Sequence, residues 1–216
     1  MMKSVLIAVV SAVQAYLLGS IDTGILVSKF LYHDDVRKYG SGAAGMTNML
    51  RTFGKKAAAL TAVGDVLKGV VAVCLGRWLF SHLPADAAIS PYLGVYLAAI
   101  LAVVGHSKPI YFGFKGGKGV LVGAVMLAFF DWRVFGIAFV LFLLSVIVTK
   151  WISLGSILGA VSFPITTWVF YRDPVLTAMA LGMAAVVVFM HRSNIGRIIR
   201  GKENKFSFKS KKTMSD

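Results

Sequence analysis

Seven apolar stretches, each bounded by basic or small polar residues, constrain this 216-residue chain more than anything else in it. They run over 5–30, 57–80, 91–104, 120–130, 134–148, 152–170 and 175–190. A bilayer is crossed by a helix of about 20 apolar residues. With 57% hydrophobic residues and a mean hydropathy of +0.77, the chain is far more apolar than a soluble domain. The expectation is an all-α, polytopic transmembrane helix bundle. About seven spans are expected, in a range of roughly five to seven, because 120–130 is short enough to be re-entrant or tilted, or to fuse with the next stretch. No polar or Pro/Ser-rich linker interrupts the sequence, so 1–190 reads as one membrane domain and 191–216 as a basic tail continuous with it.

The charge distribution orients this bundle. Lys and Arg number 23 against 9 Asp and Glu, a net charge of +14. Seventeen of the basic residues lie in 31–56, 107–118, at 150 and in 191–216, whereas Lys3, Arg133 and Arg172 mark the opposite side. The positive-inside rule then predicts an outside N-terminus and a cytoplasmic C-terminus, with the long basic loops cytoplasmic. Charge placed this way suits the anionic lipids of a membrane surface and argues against a nucleic-acid partner. Cys74, the single cysteine, lies in an apolar run and is expected to be a small packing residue without disulfide or metal. The four His show no ligand spacing, so no metal site is expected.

Two of the basic loops have the composition of anion sites. In GSGAAGMTNMLRTFGKK, 40–56, Gly40, Gly42 and Gly45 permit tight turns. Ser41, Thr47 and Asn48 offer hydroxyl and amide groups, and Arg51 offers a bidentate clamp. In FKGGKG, 114–119, Lys115 and Lys118 frame Gly116, Gly117 and Gly119, a compact nest of amides. Both loops run into apolar segments, where a helix N-terminus favours an anion. The first contains a GxGxxG match but no preceding strand, and the second lacks the Walker A spacing, so neither predicts a nucleotide. The plainer alternative is a pair of cytoplasmic connections whose glycines only turn and pack.

Four further places carry polar groups that a membrane span would not hold without reason. Asp65 and Lys68 are spaced for an i,i+3 ion pair. Asp22 could pair with Lys29, line a polar pocket or end a first helix near Gly19. Ser153 and Ser156 share a helix face, open to a ligand or to helix packing. His191 and Asn194 share another at the last membrane exit, where an imidazole could move a proton and an amide orient a substrate, unless both are simply interfacial.

In this order the segments GSIDTG (19–24), GSGAAGMTNMLRTFGKK (40–56), DVLKG (65–69), GHSKPIYFGFKGGKG (105–119), SLGSI (153–157) and HRSNIGRIIRGKENKF (191–206) resemble the PlsY family of bacterial membrane glycerol-3-phosphate acyltransferases. The likeness spans nearly the whole chain. It implies transfer of a fatty acyl group from acyl-phosphate to the 1-hydroxyl of glycerol 3-phosphate, giving lysophosphatidic acid and phosphate in the bacterial cytoplasmic membrane, with no metal, nucleotide or other cofactor. It also implies Arg51, Lys118, His191 and Asn194 as catalytic residues. Substrate would be bound by Ser41, Gly42, Gly45, Thr47, Asn48, Lys115, Gly116, Gly117, Gly119, Ser153 and Ser156, and Glu203 would be structural, tying the tail to a basic loop. The chain departs from the family pattern at Asp22, where Pro is usual, and at Ala43, Met46 and Leu121–Val122. A rival reading is a non-catalytic binder or transporter of a phosphorylated lipid or small organic phosphate, which would need Arg51 and Lys118 but not His191 and Asn194.

Overall fold

The computed structural model describes residues 2–83 and 91–207, and among these the regular structure is helical, with no strand. In chain order the helices are α1 (Met2–Ser20), α2 (Thr23–Tyr32), α3 (Met46–Phe53), α4 (Lys55–Ser81), α5 (Pro91–Ser107), α6 (Val120–Phe130), α7 (Trp132–Thr149), α8 (Ile152–Tyr171), α9 (Pro174–Met190) and α10 (Arg192–Ile199). Short 3₁₀ turns at Val36–Lys38 and Ile110–Phe112 lie in the connections that hold the two anion loops. By length and composition Met2–Tyr32, Lys55–Ser81, Tyr92–Phe112, Trp132–Thr149 and Ile152–Tyr171 can each cross a membrane. A sixth candidate arises if α9 and α10, bent by 61°, count together. The remaining apolar helix, α6, has 11 residues. At 1.5 Å per residue it reaches about 17 Å, well short of a ~30 Å hydrocarbon core. The seven apolar stretches therefore comprise five of membrane length, α9, which makes a sixth when counted with α10, and the short α6.

The first stretch, expected as one helix, breaks at Ile21 and Asp22. Asp22 Oδ1 accepts from the Ile25 amide at 3.2 Å and caps α2, while the freed Ile21 carbonyl accepts from Lys68 Nζ at 2.9 Å. Of the places open to Asp22, the helix break is the one it takes, and it is fully buried there. Lys29 lies instead over the Phe112 ring, 5.9 Å from its centroid. The expected Asp65–Lys68 pair is present at 2.9 Å, also buried.

Small residues bring α1, α4 and α5 together. A Cβ at Gly76 would stand 2.6 Å from the Gly94 carbonyl oxygen, so α4 and α5 meet backbone to backbone, and the buried Ala15, Ala72, Ala98, Ala99 and Ala102 continue the seam. In lipid, where no hydrophobic drive separates helix from solvent, such close approach supplies the association energy. Large apolar side chains such as Val9, Leu67, Ile147, Val148, Ile165 and Phe189 are left exposed on the outer faces, as a lipid-facing surface requires. Cys74 belongs to that surface: it is exposed, not the buried packing residue expected from sequence.

At the far end of α6 from the second loop, Asp131 caps α7 by accepting from Arg133 N at 2.7 Å and also accepts from the Tyr171 hydroxyl at 2.6 Å. Beneath this corner Tyr96, Phe130 and Phe163 form an aromatic cluster with centroids 5.1 to 6.0 Å apart. This end is closed by the aromatic cluster beneath a paired Asp131–Arg133 corner, and the two cationic loops are gathered at the other.

Candidate functional site

The first loop is shaped by one side chain. Asn48, in the first turn of α3 and buried, donates through Nδ2 to the carbonyls of Val36, Tyr39 and Ala43 at 3.2, 3.0 and 3.0 Å. Its Oδ1 accepts from the Ser41 amide at 3.1 Å. The amide that sequence analysis offered to a phosphate is thus engaged with its own loop. That arrangement turns Ser41, Gly45, Thr47 and Arg51 into one wall of a cavity.

The second loop is joined to the first and to α5 through backbone. The Gly117 amide donates to the His106 carbonyl at 3.0 Å and the Ala44 amide to the Gly116 carbonyl at 3.4 Å. Arg37 straps the pair: paired with Asp35 at 2.7 Å, its Nη1 donates to the carbonyls of Phe112 and Lys115 at 2.8 and 2.9 Å. The loop then turns through Gly119, whose φ of +73° suits glycine, into α6. This sets Lys118 and Gly119 on the cavity wall.

The third contribution comes from the chain beyond the last long helix. His191 is buried and its Nδ1 lies 2.8 Å from the Val187 carbonyl. A carbonyl partner requires the proton on Nδ1 and leaves Nε2 as an acceptor. Asn194 Nδ2 donates to Glu203 Oε1 at 2.7 Å, and its Oδ1 is buried with no hydrogen-bond partner. Glu203 also accepts from Ser153 Oγ at 2.9 Å and from Arg197 Nε at 2.8 Å. It therefore fastens the tail to α8 and α10 rather than to a basic loop. Ser156 Oγ donates back to the Ile152 carbonyl of its own helix at 2.9 Å.

Together these elements enclose a cavity of about 150 Å³ lined by Ser41, Gly45, Thr47, Asn48, Arg51, Lys118, Gly119, Ser153, Ser156, His191, Asn194 and Glu203. Four expected substrate contacts stand elsewhere. Gly42 is exposed at the loop's outer turn. Lys115 points into solvent and takes part through its carbonyl. Gly116 and Gly117 lie against α5, behind the loop. Arg197, Asp65 and His106 line the cavity without having been singled out as site residues. The spacing 191, 194, 197 on one helical face was the signal for Arg197.

The cavity is strongly cationic. Burial pushes the Lys118 ammonium down to about 8, opposed by Glu203 and reinforced by Arg197 and Arg51. Burial likewise lowers Arg51, which stays charged. Burial alone would raise Glu203, but hydrogen bonds from Asn194, Arg197 and Ser153 outweigh it and hold the carboxyl below its usual range. Of the two carboxylates on the cavity wall, Glu203 is bonded to Arg197 and Asp65 is paired with Lys68, so Arg51 and Lys118 leave a cationic surplus suited to a doubly charged phosphate.

A second, almost wholly apolar cavity of about 240 Å³ shares Val120, Leu121, Phe142 and Ser156 with the first. It descends between α6, α7, α8 and α9 to Leu127, Phe135, Phe163 and Met183. From Ser156 to Phe163 is seven residues of α8, about 10 Å at 1.5 Å per residue.

A helical bundle with membrane-length spans that sets a cationic two-loop pocket at the mouth of an apolar groove defines an integral membrane protein with an amphipathic site. Residues 9–201 match the model of a family described as Glycerol-3-phosphate acyltransferase. A glycerol-3-phosphate acyltransferase of Thermoanaerobacter sp. (strain X514) is 38% identical over 206 residues, covering 94% of this chain and 98% of that relative. The crystal structure of PlsY (YgiH), an integral membrane glycerol 3-phosphate acyltransferase, in its glycerol 3-phosphate form superposes with a TM-score of 0.80 at 31% identity, covering 93% of this chain and 96% of the other. Its lysophosphatidic acid form gives 0.77 at 29% identity with the same coverage. The chain belongs to the glycerol-3-phosphate acyltransferase family, and its fold is that of an integral membrane enzyme.

Proposed function

We propose that this acyltransferase moves a fatty acyl group from acyl-phosphate to the 1-hydroxyl of glycerol 3-phosphate, releasing lysophosphatidic acid and inorganic phosphate. One observation carries the reading. The free acceptors of His191 and Asn194 stand with Arg51 and Lys118 in a polar cavity that is continuous with an apolar groove. The groove takes the acyl chain, and its shared rim sets the acyl carbon at the polar cavity. The first loop and Arg51 hold the acceptor phosphate; Lys118 and the second loop hold the donor phosphate. The relative with glycerol 3-phosphate and lysophosphatidic acid forms supports the acceptor and the product.

The acceptor oxygen attacks the acyl carbon directly, so one C–O ester bond forms as the C–O bond to phosphate breaks. Asn194 Oδ1 accepts a hydrogen bond from the neighbouring 2-hydroxyl of the glycerol and so orients the attacking 1-hydroxyl. The hydroxyl proton passes to His191 Nε2 or to the departing phosphate, and Lys118 and Arg51 balance the charge that collects on that phosphate. The charge bias of the loops supports a pocket facing the cytoplasm of a bacterial cell, with the N-terminus outside and the C-terminus inside. The outer faces are bathed in membrane lipid.

Purified protein incubated with labelled glycerol 3-phosphate and either acyl-phosphate or acyl-CoA tests this. Lysophosphatidic acid should form with acyl-phosphate and not with acyl-CoA; equal turnover with acyl-CoA overturns the donor assignment. Retention of most of the turnover by His191→Ala removes the imidazole as base and leaves the proton to the phosphate.

A further inference from the structure

Beneath the second anion loop lies a group of buried charges to which the mechanism above gives no part, although Asp65 and His106 reach the cavity wall. Lys68 Nζ stands 2.8 Å from His106 Nδ1, 2.9 Å from Asp65 Oδ1 and 2.9 Å from the Ile21 carbonyl. Asp22 Oδ2 is 3.9 Å and Asp65 Oδ1 3.6 Å from the same imidazole nitrogen. All four side chains are buried, and charge inside a membrane span is retained only where it is paired or functional. An ammonium can only donate, so Nδ1 accepts from Lys68 and the His106 ring is fixed in one orientation.

The ring is fixed directly under Gly117. A Cβ built on Gly117 would collide with His106 Nε2 and stand 2.8 and 3.0 Å from Cε1 and Cδ2. A Cβ on Gly116 would collide with the His106 carbonyl oxygen and stand 2.7 Å from Pro109 Cδ and 3.0 Å from Asp22 Oδ2. The same carbonyl accepts the Gly117 amide at 3.0 Å. Both glycines therefore turn their missing side chains toward α5, Gly117 onto the ring of His106, which also reaches the wall of the cavity that Lys118 lines.

We infer that His106, tethered by Lys68, is the seat on which the second loop is built, and that Gly116 and Gly117 are glycine in order to fit that seat rather than to admit a phosphate. His106 is a positioning residue for Lys118, acting through the backbone of 116 and 117. Asp22 closes the same seat from the break between α1 and α2, so the interruption of the first helix and the placement of the second loop form one device. This extends the reading above, since it takes Lys118 to hold the donor phosphate.

A double-mutant cycle on the full-length protein tests it, with kcat and KM measured for acyl-phosphate and for glycerol 3-phosphate. Gly117→Ala should lower kcat/KM for acyl-phosphate by about a hundredfold through the clash, whereas His106→Ala should lower it about tenfold, chiefly through the donor KM. Removing the ring removes the clash, so the double variant should exceed the product of the two single effects by at least about tenfold. Additive effects overturn the inference, because a glycine needed for phosphate approach is indifferent to the ring below it. Lys68→Met is the second arm and leaves the ring in place without its tether. It should raise the donor KM severalfold with the acceptor KM unchanged, and equal rises in both overturn the inference. Wild-type protein that forms no lysophosphatidic acid would instead strike the acyl-phosphate reading itself.

Discussion

The two anion loops reach similar ends by opposite means. The first is organised by a side chain that is present: Asn48 binds three carbonyls and one amide of the surrounding loop. The second is organised by side chains that are missing: Gly116 and Gly117 let the backbone settle onto a buried imidazole and its carbonyl. A loop held from within by an amide depends on hydrogen bonds that nothing else can replace. A loop held from below depends on steric fit, and its cation is only as well placed as the floor beneath it. Composition alone would have grouped both as flexible glycine loops, and the difference teaches that their glycines and polar residues divide the work differently.

The largest effect expected from breaking this contrast is in the first loop. Asn48→Ala strands buried backbone acceptors, each costing about 1–3 kcal/mol when left unpaired. Acyl transfer should fall by roughly a thousandfold together with a lowered melting temperature, as expected when a buried hydrogen-bond network collapses. Activity near wild type with an unchanged melting temperature would mean that Asn48 does not shape the loop.

A smaller effect separates the loops by pH. Lys118, lowered by burial to about 8, is charged below that value and neutral above it. A phosphate requires the charged form, so donor affinity should weaken as pH rises through about 8, and bound phosphate should shift that limb to higher pH. Arg51 stays charged over the same range, so acceptor affinity should not follow. Lys118→Arg should abolish the alkaline rise in donor KM; a rise that persists in this variant assigns the titration to another group.

The smallest expected effect is at Lys115. Its side chain is exposed and its carbonyl, not its ammonium, meets Arg37. Lys115→Ala should change kcat and both KM values by less than about twofold, the scale of a surface charge. A donor KM raised tenfold would return Lys115 to the phosphate site and weaken the distinction between the loops.

Much of this was legible without coordinates. The alternation of apolar stretches with basic loops gave an all-helical membrane protein, because bilayer thickness fixes how long an apolar helix must be. The i,i+3 spacing of Asp65 and Lys68 correctly implied an ion pair, since three residues return nearly one helical turn. His191 and Asn194, read as one face, do line one cavity, with Arg197 next along it. The break at Asp22 was only one of several readings. A helix cap and a buried ion-pair partner look alike until the neighbouring helix is in view. The outward aspect of Cys74 was misread, since in a membrane protein an apolar neighbourhood in sequence can be lipid as readily as core.

What the sequence determined by itself is chemistry with local causes: which segments suit lipid, which loops are cationic, and which residues fall one turn apart. What only the tertiary structure decided is the direction in which those residues act. Asn48 turns inward to its own loop, Glu203 reaches across to α8 and α10, and Gly117 lies over His106, eleven residues earlier in the chain. The physical reason is that a polar group in a buried site takes whichever partner the packed helices bring within hydrogen-bond reach, and that partner is set by the crossing of helices distant in sequence.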